Sequence, residues 1–190
     1  MMIGCAILAG GKSSRMGRDK ALLEFDGTNF IKKISEELSG FEEKIIARGN
    51  ASGIEQVDWA VVPDIYKEIG PIGGLHAVLS TCQSDAMFFV SCDMPLLQRN
   101  LVDYLCSFMD KETDAVISVS EDGRVHPLCG IYNKSVKDIL EEQIQSGNYR
   151  MMALLDRLQV KYVKISSKEE RQLSNINTPI DYIHLNKVTI

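Results

Sequence analysis

Runs of apolar residues alternate along the chain with amphipathic stretches of helical spacing. Ile3–Leu8 is a short apolar run of the kind that forms a buried strand. Residues Asn29–Phe41 follow with Phe30, Ile34, Leu38 and Phe41 spaced for one face of a helix. Lys44–Ala47 and Trp59–Val62 read as short strands. Gly73–Cys82 reads as a helix entered through Pro71, with Leu75, Val78, Leu79 and Cys82 turned inward. Ala86–Ser91 carries the unbroken run Met87-Phe88-Phe89-Val90, typical of a central parallel strand covered on both faces. Beyond it the pattern predicts a helix at Asn100–Met109 and strands at Ala115–Val119 and Leu128–Tyr132. It then predicts a helix capped by Ser135 that carries Val136, Ile139, Leu140 and Ile144. A helix at Arg150–Leu158, a strand at Val160–Ile165 and a closing helix at Pro179–Asn186 complete the set. Glu121-Asp122-Gly123-Arg124 is a turn between strands. This alternation implies an α/β fold, a Rossmann-like three-layer sandwich with a mostly parallel central sheet.

Composition narrows the function classes. The chain has 190 residues and 45% hydrophobic positions, enough for one domain with a full core, taken here as residues 1–190. A formal net charge of -5 speaks against general nucleic-acid binding, where a basic face is expected. The five cysteines form no Cys-x-x-Cys pair, so reduced, mostly buried thiols are expected, not a disulfide framework or zinc site. No stretch reads as a signal peptide or membrane span, and the expectation is a cytoplasmic protein.

The chemistry concentrates where the first strand ends. Residues 10–20 hold Gly10, Gly11 and Gly17, two serines, and the cations Lys12, Arg15, Arg18 and Lys20. Glycines let backbone N–H groups come close to a ligand, and the basic side chains suit phosphates. Open α/β sheets bind ligands at such strand ends. The segment is not a P-loop, because the position that needs the upstream glycine is Ala6, and it does not fit Gly-x-Gly-x-x-Gly either.

Three further segments stand out. Ser91-Cys92-Asp93-Met94-Pro95 places a carboxylate directly after the most apolar strand, a position suited to magnesium, which takes one or two protein carboxylates and fills the rest with water and phosphate oxygens. Taken alone, the same residues are more commonly a capping Asp with a turn Pro. Asp64 follows a strand, and Gly70-Pro71-Ile72-Gly73-Gly74 opens a helix whose first N–H groups are free for an anion or a carbonyl. Alone, that is an ordinary loop-to-helix turn. In Asn175-Ile176-Asn177-Thr178-Pro179 the two Asn alternate, so an extended backbone points both to one side, while Thr178 and Pro179 form a helix start.

Leu8-Ala9-Gly10-Gly11, Arg15-Met16-Gly17 and Asp19-Lys20 together resemble the Leu-Ala-Gly-Gly-x-x-x-Arg-Met-Gly-x-Asp-Lys signature of the molybdenum cofactor guanylyltransferase family. The segments around Asp64, Asp93 and Asn175 match it in the same order, so the resemblance spans nearly the whole chain. It implies a nucleotidyltransferase that moves GMP from GTP to molybdopterin and releases pyrophosphate. It implies Asp93 as the magnesium ligand and, with Lys20 and Arg15, as the catalytic set. Leu8, Ala9, Gly10, Gly11, Lys12, Lys20, Asp64 and Asp93 are then the GTP contacts, Asp19 a partner that holds Lys20 or Arg15, and Asn175 and Asn177 the contacts to the pterin. Transient contact with other molybdenum cofactor proteins is expected, and neither nucleic acid nor membrane. The family often carries Asn after the second strand; here Arg48 stands at that position and Asn50 two residues on, and either is a candidate for the contact. Arg124-Val125-His126-Pro127 resembles the family's His-Pro segment, which leaves His126 as a pterin contact or as a histidine satisfied within the fold. The rivals are a cytidylyltransferase on the same pterin, which usually reads Leu-Ala-Ala-Gly, a sugar-1-phosphate nucleotidyltransferase, and a non-catalytic GTP-binding module.

Overall fold

The computed structural model describes residues 1–10, 23–48 and 57–187. Among the described residues seven strands form one sheet: β1 (Ile3–Ala9), β4 (Lys44–Arg48), β5 (Ala60–Pro63), β6 (Ala86–Ser91), β7 (Ala115–Val119), β8 (Val125–Asn133) and β9 (Val160–Lys164). Their order is β5-β4-β1-β6-β8-β7-β9. All run parallel except β8, which is antiparallel to β6 and β7. Chain order reverses at β1, whose neighbours are β4 on one side and β6 on the other. That is the switch point at which open α/β sheets hold their ligands.

Side-chain alternation along the strands builds a separate core on each face. Cys5, Ile7, Phe88, Val90 and Val116 point to one face, under α1 (Phe30–Glu37) and α3 (Arg99–Cys106). Ala6, Leu8, Met87, Phe89 and Ile117 point to the other, under α2 (Pro71–Thr81), α4 (Val136–Gln145) and α5 (Met151–Leu155). Phe88 and Phe89 are both fully buried, on opposite faces. Each contributes roughly 1.5–3 kcal/mol of burial, which is why an unbroken apolar run marks this strand. Among the described residues no helix is long and apolar enough to cross a membrane.

Several sequence expectations shift in detail. Asn29 does not begin the first helix but caps it, its side chain accepting from the Lys32 N–H at 2.9 Å. The expected Arg150–Leu158 helix is shorter, Met151–Leu155. The expected strand at Leu128–Tyr132 extends over Val125–Asn133. Ser135 sits at the start of α4 without capping it. Its backbone is already helical, and its hydroxyl donates instead to Asn133 Oδ1 at 2.9 Å. A small hairpin, β2 (Glu24–Phe25) with β3 (Thr28–Asn29), was not expected. Its turn residues Asp26 and Gly27 both have positive φ, the geometry for which Asp-Gly is favoured.

All five cysteines are free thiols, four of them buried and Cys106 half-buried. Burial pushes the Cys82 and Cys106 thiols up to about 11 and Cys129 to about 12, so they are inert side chains of the core.

Gly130 of β8 is pinned between β6 and β7, opposite Phe89 and Ile117. A Cβ there would stand 2.6 Å from both Ile117 Cδ1 and the Val116 carbonyl oxygen. Gly130→Ala is therefore expected to lower stability by about 1–3 kcal/mol through overpacking, read as a fall in thermal midpoint. A midpoint equal to wild type would show that the sheet gives way there at no cost.

Candidate active site

The C-terminal ends of β1 and β6 are fastened to each other. The pairing runs to Leu8 opposite Ser91, and the Cys92 N–H then donates to the Leu8 carbonyl at 3.2 Å. Gly10, just after β1, thus leaves the sheet beside Cys92 and Asp93. Asp93 is buried, 9% exposed, in a turn closed by the Met94 N–H on the Ser91 carbonyl.

A third segment meets them. After β9 the chain crosses the ends of the strands on the α3 side. The Ile165 N–H donates to the Val119 carbonyl, and a 3-10 turn at Glu170–Leu173 follows. Buried Gln172 accepts from the Gln98 N–H at 2.9 Å. The Ile176 N–H then donates to the Asp93 carbonyl at 2.8 Å. Ile176 is 4% exposed and turns inward onto Leu23, Phe25, Phe30 and Leu185, between exposed Asn175 and half-buried Asn177. The one backbone bond therefore sets the Asn pair beside Asp93. Thr178 and Asp181 close the following helix, α6 (Pro179–Lys187). Asp181 Oδ2 accepts from the Asn177 and Thr178 N–H groups, and Thr178 Oγ1 accepts from the Asp181 N–H. The expected helix start is present.

On the other side of β1, Arg48 ends β4 in register with Ala9 and with Pro63 of β5. Asp64 follows Pro63 directly. Its Oδ1 is buried with no hydrogen-bond partner among the described residues, and burial raises its carboxyl above the ordinary range. The first turn of α2 packs on this corner. A Cβ on Gly74 would stand 3.1 Å from Leu8 Cδ2, 3.3 Å from Ala47 Cβ and 3.7 Å from Asp64 Oδ1. Glycine is what brings the helix start this close to the strand ends. Gly70, just before it, has φ +77, a conformation that side chains rarely adopt.

Of the residues singled out in the sequence, Leu8, Ala9, Gly10, Asp93, Asn175 and Asn177 come together at the ends of β1 and β6, and Asp64 lies at the adjoining β4–β5 corner. Gly11, Lys12, Arg15, Asp19, Lys20 and Asn50 lie outside the described residues. The chain leaves the described structure at Gly10 and returns at Leu23, which packs against Ile176. His126 is buried and pairs with Ser120, its Nε2 2.6 Å from the Ser120 hydroxyl. Ser120 was not anticipated, and no spacing rule in the sequence pairs it with His126.

Among the described residues there is no cluster of three or more His, Cys, Asp or Glu side chains that could cage a metal ion. A lone buried carboxylate at a strand end suits a cation that keeps most of its own waters and takes ligand oxygens. It does not suit one that needs a closed protein cage.

The chain is similar to known proteins over most of its length. Residues 5–162 match the family model of the MobA-like NTP transferase domain. A Clostridium perfringens protein named "Probable molybdenum cofactor guanylyltransferase" is 36% identical over 190 residues, covering 96% of this chain and 95% of its own. A Flavobacterium johnsoniae protein of the same name is 32% identical, covering 95% and 94%. The crystal structure of molybdopterin-guanine dinucleotide biosynthesis protein A from Archaeoglobus fulgidus superposes with a TM-score of 0.85 at 26% identity, over 99% of this chain and 98% of that one. A nucleotidyl transferase from Methanothermobacter, at 19% identity and a TM-score of 0.77 over 98% and 97%, shares the fold. A strand-end site at the sheet's switch point and a match over most of the chain coincide: this protein belongs to the MobA-like NTP transferase family.

Proposed function

We propose that the protein transfers GMP from GTP to molybdopterin, giving molybdopterin guanine dinucleotide and pyrophosphate. The observation that supports this reading is the Ile176–Asp93 backbone bond, which ties the segment of the paired Asn to a candidate metal carboxylate at the end of β6. A terminal phosphate oxygen of molybdopterin attacks the α-phosphorus of GTP in line. The bond from that phosphorus to the oxygen bridging to the β-phosphate breaks, and pyrophosphate leaves. The attacking oxygen is already ionised at neutral pH, so no side chain needs to take a proton. Positioning and neutralisation of charge supply most of the acceleration.

Each residue then has a defined task. Backbone N–H groups of the Leu8–Gly11 segment approach the nucleotide, and Lys12, Arg15 and Lys20 neutralise the triphosphate, with Asp19 holding one of these cations. Asp93 is the carboxylate that would hold a magnesium ion, which would supply positive charge to offset that of the phosphate oxygens and the leaving pyrophosphate. Asp64 accepts from the nucleotide, and Asn175 and Asn177 orient the pterin. The chain acts as one nucleotidyltransferase domain in the cytoplasm. Measuring pyrophosphate release with each of the four nucleoside triphosphates, with and without molybdopterin, tests the reading. Release is expected with GTP and molybdopterin together. Preferential use of CTP would assign the protein to cytidylyl transfer, and binding of GTP with no release would make it a regulatory module.

Asp64 yields a second expectation. Its carboxyl is held above the ordinary range, so ionising it costs stability at neutral pH, and that cost disappears as pH falls through the raised pKa. Asp64→Asn removes the charge and keeps the shape. The thermal midpoint is expected to equal or exceed wild type, while the KM for GTP rises about tenfold through loss of a charged acceptor. In the wild type, GTP affinity is expected to fall on acidification before ordinary carboxylates titrate. A lowered midpoint with an unchanged KM would make Asp64 a structural residue.

A further inference from the structure

Asp64 owes its direction to the backbone on either side of it. Its buried Oδ1 has no hydrogen-bond partner among the described residues, so no bond to that oxygen aims the carboxyl. Before it, Pro63 is held in the sheet, in register with Arg48. After it, Ile65 is 57% exposed, and the next residue packed against the core is Tyr66. The chain from there to α2 bends at two residues with positive φ, Glu68 at +61 and Gly70 at +77. Glu68 is not a glycine, so its neighbours must hold the chain in a conformation that side chains rarely adopt.

Tyr66 is seated from three directions. Its ring meets His76 of α2 edge-on, with ring centroids 5.1 Å apart and planes at 68°. Its carbonyl oxygen lies against Gly73, where a Cβ would stand 2.8 Å from it and 3.1 Å from Ile69 Cγ1. Its hydroxyl donates to Glu141 Oε1 of α4 at 3.5 Å. That bond is long and the ring is half-buried, so the ring contact counts for more than the hydroxyl. His76 is 4% exposed, and burial holds its imidazole below the ordinary range, so it is neutral and packs as an aromatic ring. Its Nε2 is 3.5 Å from Ser80 Oγ, one turn along α2. The seat of Tyr66 is therefore formed by α2 and α4, two helices that pack on each other.

We propose that Tyr66 is a positioning residue for GTP: its ring, seated on His76, fixes the chain between Asp64 and α2 and so presents the Asp64 carboxylate to the nucleotide in a preformed direction. The inference rests on the reading that Asp64 accepts from GTP. Tyr66 itself touches neither substrate. With the ring removed, the chain after Asp64 samples other conformations, and GTP binds only the fraction still in place. Apparent affinity falls by that fraction, while bound GTP restores the geometry, so the rate at saturation is unchanged.

Tyr66→Leu tests this directly. Leu keeps an apolar side chain at the rim of the core, and the variant is expected to fold. Its KM for GTP is expected to rise about fivefold, with kcat and the KM for molybdopterin at wild-type values. Amide hydrogen exchange without nucleotide is expected to quicken across residues 65–70 and to be unchanged in β1 and β6. Tyr66→Phe keeps the ring and is expected to match wild type in both readings. The double variant with Asp64→Asn shows the route. Independent effects of about tenfold and about fivefold multiply to about fiftyfold, whereas a residue that acts through Asp64 leaves the double variant at about tenfold. Multiplied effects, an unchanged KM for GTP in Tyr66→Leu, or a loss in Tyr66→Phe as large as in Tyr66→Leu would overturn the proposal and leave the Asp64 contact standing. A wild-type KM for GTP in Asp64→Asn would remove that contact and the proposal with it.

Discussion

Asp93→Asn is expected to lower the rate of GMP transfer about a thousandfold, or about 4 kcal/mol of transition-state stabilisation at 1.4 kcal/mol per decade. The side chain follows the most deeply buried strand, and its own carbonyl is bonded to the segment that carries the paired Asn. Asn is nearly isosteric with Asp, so the backbone bond from Ile176 and the turn after β6 are expected to survive. Circular dichroism and the thermal midpoint should therefore match wild type. What is lost is the negative oxygen that would hold magnesium. Raising magnesium concentration is expected to recover part of the rate in the variant. Wild-type turnover at ordinary magnesium would remove Asp93 from the chemistry.

Lys20→Ala is the second large effect. The residue closes a segment with three glycines and four cations in an otherwise acidic chain of net charge -5, so that charge is concentrated there for a purpose. If Lys20 contacts the triphosphate as proposed, losing that charge is expected to cost about 2–4 kcal/mol, divided between weaker GTP binding and slower turnover. Titration calorimetry with GTP and single-turnover kinetics measure the two parts. Unchanged affinity and rate would transfer the role to Lys12 or Arg15.

The fold was legible wherever burial is simple. Met87-Phe88-Phe89-Val90 announces a strand covered on both faces, and it lies at the centre of the sheet. The antiparallel direction of β8 was not legible, because direction depends on which neighbours a strand finds and leaves no periodic mark. The β2–β3 hairpin was overlooked although Asp26-Gly27 signals it, since each arm has only two residues and shows no alternation. The closing helix was readable from Thr178-Pro179 because capping is local chemistry. Ser135 has the same capping chemistry and fails to cap, because nearby Asn133 takes its hydroxyl.

The site divides along the same line. Asp93, Asp64 and the paired Asn were visible as motifs at element ends, where short-range sequence and position coincide. The bonds that bring them together join distant stretches of chain, Asp93 to Ile176 and Val119 to Ile165. The Ser120–His126 pair depends on a register shift between two strands. Neither kind of contact is encoded in any window short enough to read.

The most direct test of the account follows the phosphorus. With GTP labelled at the α-phosphate, magnesium and molybdopterin, the label is expected in a product that carries both guanine and the pterin. With the label at the γ-phosphate, all of it is expected in pyrophosphate. Label from the γ-position in the pterin product, or α-label found only in free GMP, would contradict nucleotidyl transfer to molybdopterin.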